Sequence, residues 1–332
     1  MKKMLISPAP HLYGKENTRR IMLDVIIALI PAVVVSIYFL GLSALMVYGV
    51  AIATCLLVEY VVQRFLMKGP STLSDLSALL TAILLSLNLP PTSPWWMVAI
   101  GSVVAIGIAK MTFGGLGNNL FNPALVGRVV LLISFPVLMT NWTVPPSIFR
   151  GAADAISGAT PLGIIKEGLA QGMTMDQLSA MYDLSYWHLL FGKIEGSMGE
   201  ASALALLLGF AYLLIRKVIR PHIPVAIFVT IAAFTAILWW VNPQQYADPL
   251  FHLLTGGVLL GAIFMATDYV TSPMSVKGMV IFGVGIGLIT VLIRVFGAYP
   301  EGVSFAILIM NATVPLLNIY CKPKRFGEVI KK

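Results

Sequence analysis

A hydroxyl that can carry a phosphoester stands at Thr160, the last member of the run Asp154, Ser157, Gly158, Ala159 and Thr160. Pro161 follows, then Leu162, Ile164, Ile165, Lys166, Glu167, Leu169 and Gly172, which read as a short amphipathic helix. Threonine is a favoured N-cap, proline suits the first helical position and glycine closes the far end, so Thr160 is expected at the helix N-terminus. A phosphate esterified there would meet the free backbone N–H groups of Leu162 and Gly163 and the positive end of the helix dipole. Ser157, Gly158 and Ala159 are small and leave the preceding backbone open to a modifying enzyme, and Asp154 adds an acidic handle. The bland role, in which Thr160 only caps a loop helix, stands beside the chemical one.

Around this loop the chain is apolar. Of 332 residues 58% are hydrophobic and 11% charged, more apolar than a soluble domain needs to fill one core, so the chain reads as an all-α polytopic membrane protein. Residues 1–20 are polar and no small-residue cleavage site follows the first apolar run, unlike a signal peptide. Cys55 and Cys321 are the two cysteines and no CxxC spacing occurs, so this chain alone is not expected to ligate an iron-sulfur cluster or a zinc ion. His11, His188, His222 and His252 fall in loops or near helix ends, which does not suit a buried haem. A redox cofactor held here would be organic. The net charge of +8 divides between membrane flanks and forms no single patch, so nucleic acid is not an expected partner.

The elements that must position Thr160 are apolar segments at 21–40, 42–62, 74–89, 95–109, 123–139, 201–215, 223–241, 251–270, 279–296 and 303–319. That makes about ten transmembrane helices. Starting inside, the cytoplasmic pieces hold Lys2, Lys3, Lys15, Arg19, Arg20, Arg64, Lys68, Lys110, Arg216, Lys217, Arg220, Lys277, Lys322, Lys324, Arg325, Lys331 and Lys332, against Arg150, Lys166, Lys193 and Arg294 opposite. By the positive-inside rule both termini are cytoplasmic and the loop is external. The expected divisions are a first five-helix repeat at 1–140, the external loop at 141–200, a second five-helix repeat at 201–320 and a basic cytoplasmic tail at 321–332. Leu79, Leu80 and Thr81 open a segment closing at Thr92, Ser93 and Pro94, and Leu253, Leu254 and Thr255 open one closing at Thr271, Ser272 and Pro273. With five helices per half the second copy must be upside down, which gives two inverted repeats of the transporter type.

Later in the loop, Thr174 and Gln177 form the spacing of a capping box opening a helix through Met181. Tyr186, Trp187, His188, Leu189, Leu190 and Phe191 read as an interfacial aromatic stretch that seats the loop on the bilayer surface. Charges and amides near the bilayer core are functional candidates by default: Asp24, Asp75, Asn122, Arg128, Asp268 and Asn311 are the ion-path or pocket candidates. Asp24, Glu59 and Asp75 lie at helix ends, where solvent or Arg19, Arg20 and Arg64 would satisfy them. Gly257, Gly261, Gly283, Gly285 and Gly287 lie inside apolar helices and read as close packing.

The pattern Asp154-x-x-Ser157-Gly158-Ala159-Thr160 is similar to the flavinylation motif on which a flavin transferase attaches FMN through a phosphoester to the last threonine. By average residue usage such a pattern arises by chance in roughly one chain in a thousand of this length. With the helical repeats, with Gly117-Asn118-Asn119-x-Phe121-Asn122-Pro123-Ala124 and with Pro300-Glu301-Gly302-Val303, the whole chain resembles a family of membrane proteins that includes RnfD, from the Rnf complex, and NqrB, from the sodium-pumping NADH:quinone oxidoreductase. It lacks the longer N-terminal extension of the latter.

The resemblance implies a membrane flavoprotein component of a ferredoxin:NAD oxidoreductase complex in a bacterial or archaeal cytoplasmic membrane, coupling electron transfer to sodium or proton movement. It implies FMN on Thr160, a non-covalent riboflavin for which no residue is named, the A, B, C, E and G components of the Rnf complex as partners, and a flavin transferase for maturation. Such a component is not expected to act alone, and it has no catalytic residue beyond the flavin. The competing expectation from the repeats is a channel or secondary transporter of urea-channel-like fold, which would have no use for a flavin.

Overall fold

Away from water every backbone N–H and C=O must find a partner within the chain, so the apolar stretches become helices. The computed structural model describes residues 17–69, 72–143, 157–158, 160–182, 186–191 and 196–322. Helix α1, Thr18–Val61, begins on the N-cap Asn17 and carries a non-helical Gly41 at φ 67° and ψ −146°. Ser36 Oγ and Tyr48 Oη are 2.8 Å apart, yet twelve residues of straight helix would separate them by about 18 Å. The chain therefore folds back at Gly41, whose backbone angles a side chain would resist, and the two arms are the expected segments at 21–40 and 42–62.

After α1 and the π-helical turn Val62–Leu66 comes α2, Ser77–Leu87, which at 11 residues is only about half as long as the bilayer core is thick. Helix α3, Trp95–Val103, runs into a π-helical stretch, Val104–Met111, and α4, Pro123–Ser134, is capped by Asn122. The fifth expected segment is shorter than its apolar run, because Phe135 departs from helical geometry and Pro136 opens the separate α5, Pro136–Thr140. Strand β1, Trp142–Thr143, pairs antiparallel with β2, Ser157–Gly158, so a small strand pair interrupts the otherwise helical chain. The loop then holds α6, Pro161–Ala170, α7, Met175–Met181, and α8, Tyr186–Phe191.

Helices α9, Ala203–Ile215, and α10, His222–Val241, lie close to the expected bounds. The eighth expected segment does not. It is broken into α11, Pro249–Leu254, and α12, Val258–Leu260, which continues as a π-helical turn, Gly261–Met265. The break falls at Gly256 and Gly257, both at positive φ, so Gly257 ends a helix instead of packing one. Asp268 lies beyond the helical part, in the connection to α13, Val276–Phe296, which α14, Val303–Tyr320, follows.

The remaining glycines act as expected. A Cβ on Gly283 would stand 2.6 Å from the Ala226 methyl, and one on Gly287 2.7 Å from Thr230, so these glycines let α13 lie close against α10. The apolar core runs continuously through both halves. The arms of α1, with α10, α13 and α14, are long and apolar enough to cross a membrane, and α2, α4, α9 and the α3 rod Trp95–Met111 are shorter apolar helices.

Candidate functional site

Thr160 sits at the N-terminus of α6 as its residue types predict. Its side chain accepts a hydrogen bond from the Gly163 N–H at 3.1 Å, with Pro161 in the first turn. The helix ends as expected too: Gly172, at φ 82°, donates to the Leu169 carbonyl, and Met173 N–H reaches back to Gly168 O. Asp154 and Ala159 lie outside the described residues; Ser157 and Gly158 form β2, which ties the approach to Thr160 onto Trp142 and Thr143.

The hydroxyl is not displayed on a free loop. Thr160 is 3% exposed and borders a cleft of about 540 Å³ whose walls include Arg128, Trp142, Gly163, Glu167, Tyr299 and Glu301. That volume lies within the range of pockets that bury a drug-sized ligand. Two aromatic side chains and one buried guanidinium suit a flat conjugated ring with an anionic arm.

Helix α6 is held to the membrane part in two ways. Leu162 and Ile165 pack with Ala247, Phe251 of α11 and Leu189 of α8. Lys166 donates to the carbonyl oxygens of Arg294 at 3.4 Å, Gly297 and Tyr299 at 3.1 Å, groups that the end of α13 leaves without helical partners. Partial burial lowers the Lys166 ammonium below the ordinary lysine range. On the far side of the loop Tyr186 donates to Asp248 at 2.5 Å, and burial first, then that carboxylate, push its phenol up to about 12. The Thr174 N–H donates to Gln177 Oε1, one arm of the expected capping box, and α7 ends at Met181 as expected.

The polar candidates divide into separate groups. Asn122 caps α4 and donates to Met265 O at 3.2 Å. With its amide oriented by hydrogen bonding, Asn311 accepts from the Asn122 N–H and donates to the carbonyls of Thr271 and Ile307, so these two asparagines meet at the centre. Arg128 donates to Asn88 Oδ1 at 2.8 Å and Ser304 Oγ at 2.9 Å, and pairs with Glu301. Asp268 accepts from Thr271 and borders a cavity of about 70 Å³ shared with Lys110, Asn119 and Asn122. Asp75 accepts from the Ser77 N–H and hydroxyl and thereby opens α2.

Two expected partnerships are wrong. Asp24 is buried and pairs with Arg216 at 3.1 Å and Tyr212 at 3.0 Å, both next to or on α9, instead of Arg19, Arg20 or Arg64. Glu59 is fully buried and pairs with Lys110 at 2.9 Å. Lys110 and Arg294, expected as flanking charges, are both buried. Arg294 donates to the carbonyls of His252 at 2.7 Å, Thr255 at 2.7 Å and Gly256 at 3.0 Å, satisfying acceptors that the break between α11 and α12 strands. Spacing could not reveal these pairs, because each joins elements far apart in the chain. The missed residues near the cleft are Trp142, Lys166, Glu200, Arg294, Tyr299 and Glu301; only a cation lying within an apolar helix, as at 294, carries a signal of its own.

Relatives agree with this picture, and those that follow are all the D component of their complexes. The chain is 43% identical to that of the proton-translocating ferredoxin:NAD(+) oxidoreductase complex of Clostridium ljungdahlii, over 97% of this chain and 96% of that protein. It is 41% identical to that of the Na(+)-translocating ferredoxin:NAD(+) oxidoreductase complex of Acetobacterium woodii, over 99% and 97%. It is 40% identical to that of the ion-translocating oxidoreductase complex of Pectobacterium carotovorum, over 97% and 98%. Residues 5–327 match the family described as NQR2, RnfD, RnfE, and the chain belongs to that family.

Proposed function

We propose that this chain is the membrane-embedded D component of an ion-translocating ferredoxin:NAD oxidoreductase complex, passing electrons through FMN joined by a phosphoester to Thr160. The observation that carries the attachment site is the buried N-cap hydroxyl of Thr160 at the edge of a ligand-sized cleft. When bound, FMN supplies a carrier of one or two electrons. Thr160 Oγ1 is the anchor, the first-turn N–H groups of Leu162 and Gly163 receive the phosphate oxygens, and Trp142 and Tyr299 give the ring apolar surface. Asp154, Ser157, Gly158 and Ala159 serve recognition by the flavin transferase.

The architecture behind this reading is two inverted five-helix repeats, at 1–140 and 201–320, flanking the external loop at 141–200 and followed by the basic tail at 321–332. Its support is a correspondence between buried cations. Lys110 closes the rod after α3 and donates to Ser77 at the start of α2, while Arg294 lies in the last turn of α13 and holds the break in the corresponding third element. The A, B, C, E and G components of the complex are the partners, a non-covalent riboflavin is the second flavin, and the cytoplasmic membrane is the location, with both termini inside. The ion named for relatives differs at nearly equal similarity, protons in one and sodium in another.

Production with a flavin transferase, followed by ultraviolet illumination of a denaturing gel, tests the attachment. The expected result is a fluorescent band lost in Thr160→Val. Fluorescence that persists in the variant overturns Thr160 as the anchor, and a dark wild-type band in the presence of active transferase favours the transporter reading.

A further inference from the structure

Two arginines and two carboxylates crowd the inner wall of the cleft. Arg128 and Glu301 border it as an ion pair, with Glu301 Oε1 left without a hydrogen-bond donor. Behind them Glu200, in the turn between the loop and α9, accepts from Ser197 Oγ at 2.6 Å. A Cβ placed on Gly257 would lie 3.7 Å from Glu200 Oε1 and 3.9 Å from Arg128 Nη1, so both side chains close on one point beside the α11 to α12 break. Arg294 stands near on α13 with its hydrogen bonds committed to backbone carbonyls. The Nε groups of Arg128 and Arg294 are buried without a partner. With all four groups ionised the cluster is neutral; with one carboxyl protonated it carries a single positive charge.

We propose that Glu200 and Glu301 form a proton-exchanging pair in which a carboxylate takes up one proton as negative charge in the Thr160 cleft rises and releases it as that charge falls. The coupling to the cleft rests on the flavin reading of Thr160; the proton site itself does not. In uptake, a proton from water forms an O–H bond on one carboxylate oxygen, the cluster gains one positive charge, and no electron leaves the protein. The reverse step returns the proton to water. Burial, and then the facing charge of Glu301, push the Glu200 carboxyl up to about 8, while Ser197, Arg128 and Arg294 oppose that rise. Negative charge added nearby raises it further, so uptake is largest at slightly alkaline pH.

The site is testable in the Thr160→Val chain, which carries no flavin at that residue. Infrared spectra of the purified protein in nanodiscs, recorded across neutral and alkaline pH, should contain a protonated-carboxyl band that disappears with a midpoint near 8. Glu200→Gln should remove that band, and Glu301→Gln should move its midpoint to lower pH, because a like charge is gone. Absence of the band at neutral pH, or its survival in Glu200→Gln, overturns the proton site. In the flavin-loaded chain the flavin midpoint potential should vary with pH in this range and lose that variation in Glu200→Gln. A pH-independent wild-type potential overturns the link to the cleft, and gel fluorescence reports separately whether the flavin is attached.

Discussion

Glu59 and Lys110, 51 positions apart, meet as a 2.9 Å ion pair with almost no side-chain surface accessible. The Lys110 ammonium also donates to Ser77 Oγ at 2.6 Å, and Thr72 donates to Glu59 at 2.9 Å, so one buried pair gathers α1, the start of α2 and the rod after α3. Removing one partner leaves a bare charge in a medium that solvates it poorly. Lys110→Met should therefore lower stability by about 3–5 kcal/mol, and Glu59→Gln in the same background should restore a part of it. Thermal unfolding of the purified variants, compared as a double-mutant cycle, reads the coupling; additive losses would contradict it.

Gly256 is the point where the loop meets the membrane part. A Cβ there would lie 2.3 Å from Leu162 Cδ1 and 2.5 Å from Arg294 Nη2, at a φ of 68° that an alanine resists. Gly256→Ala should displace α6 or Arg294 and cost about 1–3 kcal/mol from backbone strain alone. Its sharper effect should be on modification: flavin on Thr160 should fall several-fold at equal protein level, measured by gel fluorescence per milligram.

Lys166→Met keeps most of the stem's apolar contact and removes the three bonds to carbonyls of Arg294, Gly297 and Tyr299. The expected outcome is local loosening, with global stability reduced by about 1–3 kcal/mol, because hydrogen bonds from a charged donor are among the stronger ones. Amide hydrogen exchange should quicken in α6 while α10 and α13 stay protected. Equal protection of α6 in both proteins would refute the tie.

Local chemistry is read well from the chain because it depends on neighbours in sequence. The cap by Thr160, the stop at Gly172, the turn at Gly41 and the bounds of α14 all follow from residue type and spacing. The apolar run at 251–270 misled for a related reason: hydropathy sees no difference between a whole helix and two pieces joined at Gly256 and Gly257. Backbone conformation at two glycines, and a distant Arg294 to satisfy the carbonyls so released, decide that case.

From the residues alone come the membrane class, the positions of the apolar helices and the hydroxyl that can carry a flavin. Only the tertiary structure decides what surrounds them. It turns Lys110 and Arg294 from flank charges into buried clamps, gives Asp24 to Arg216, and sets Arg128 and Glu301 beside Thr160 on a cleft. The reason is one of range. Caps and turns are settled over three or four residues, whereas a buried charge is satisfied by whatever group the packing of distant helices brings to it, and no spacing in the sequence encodes that partner.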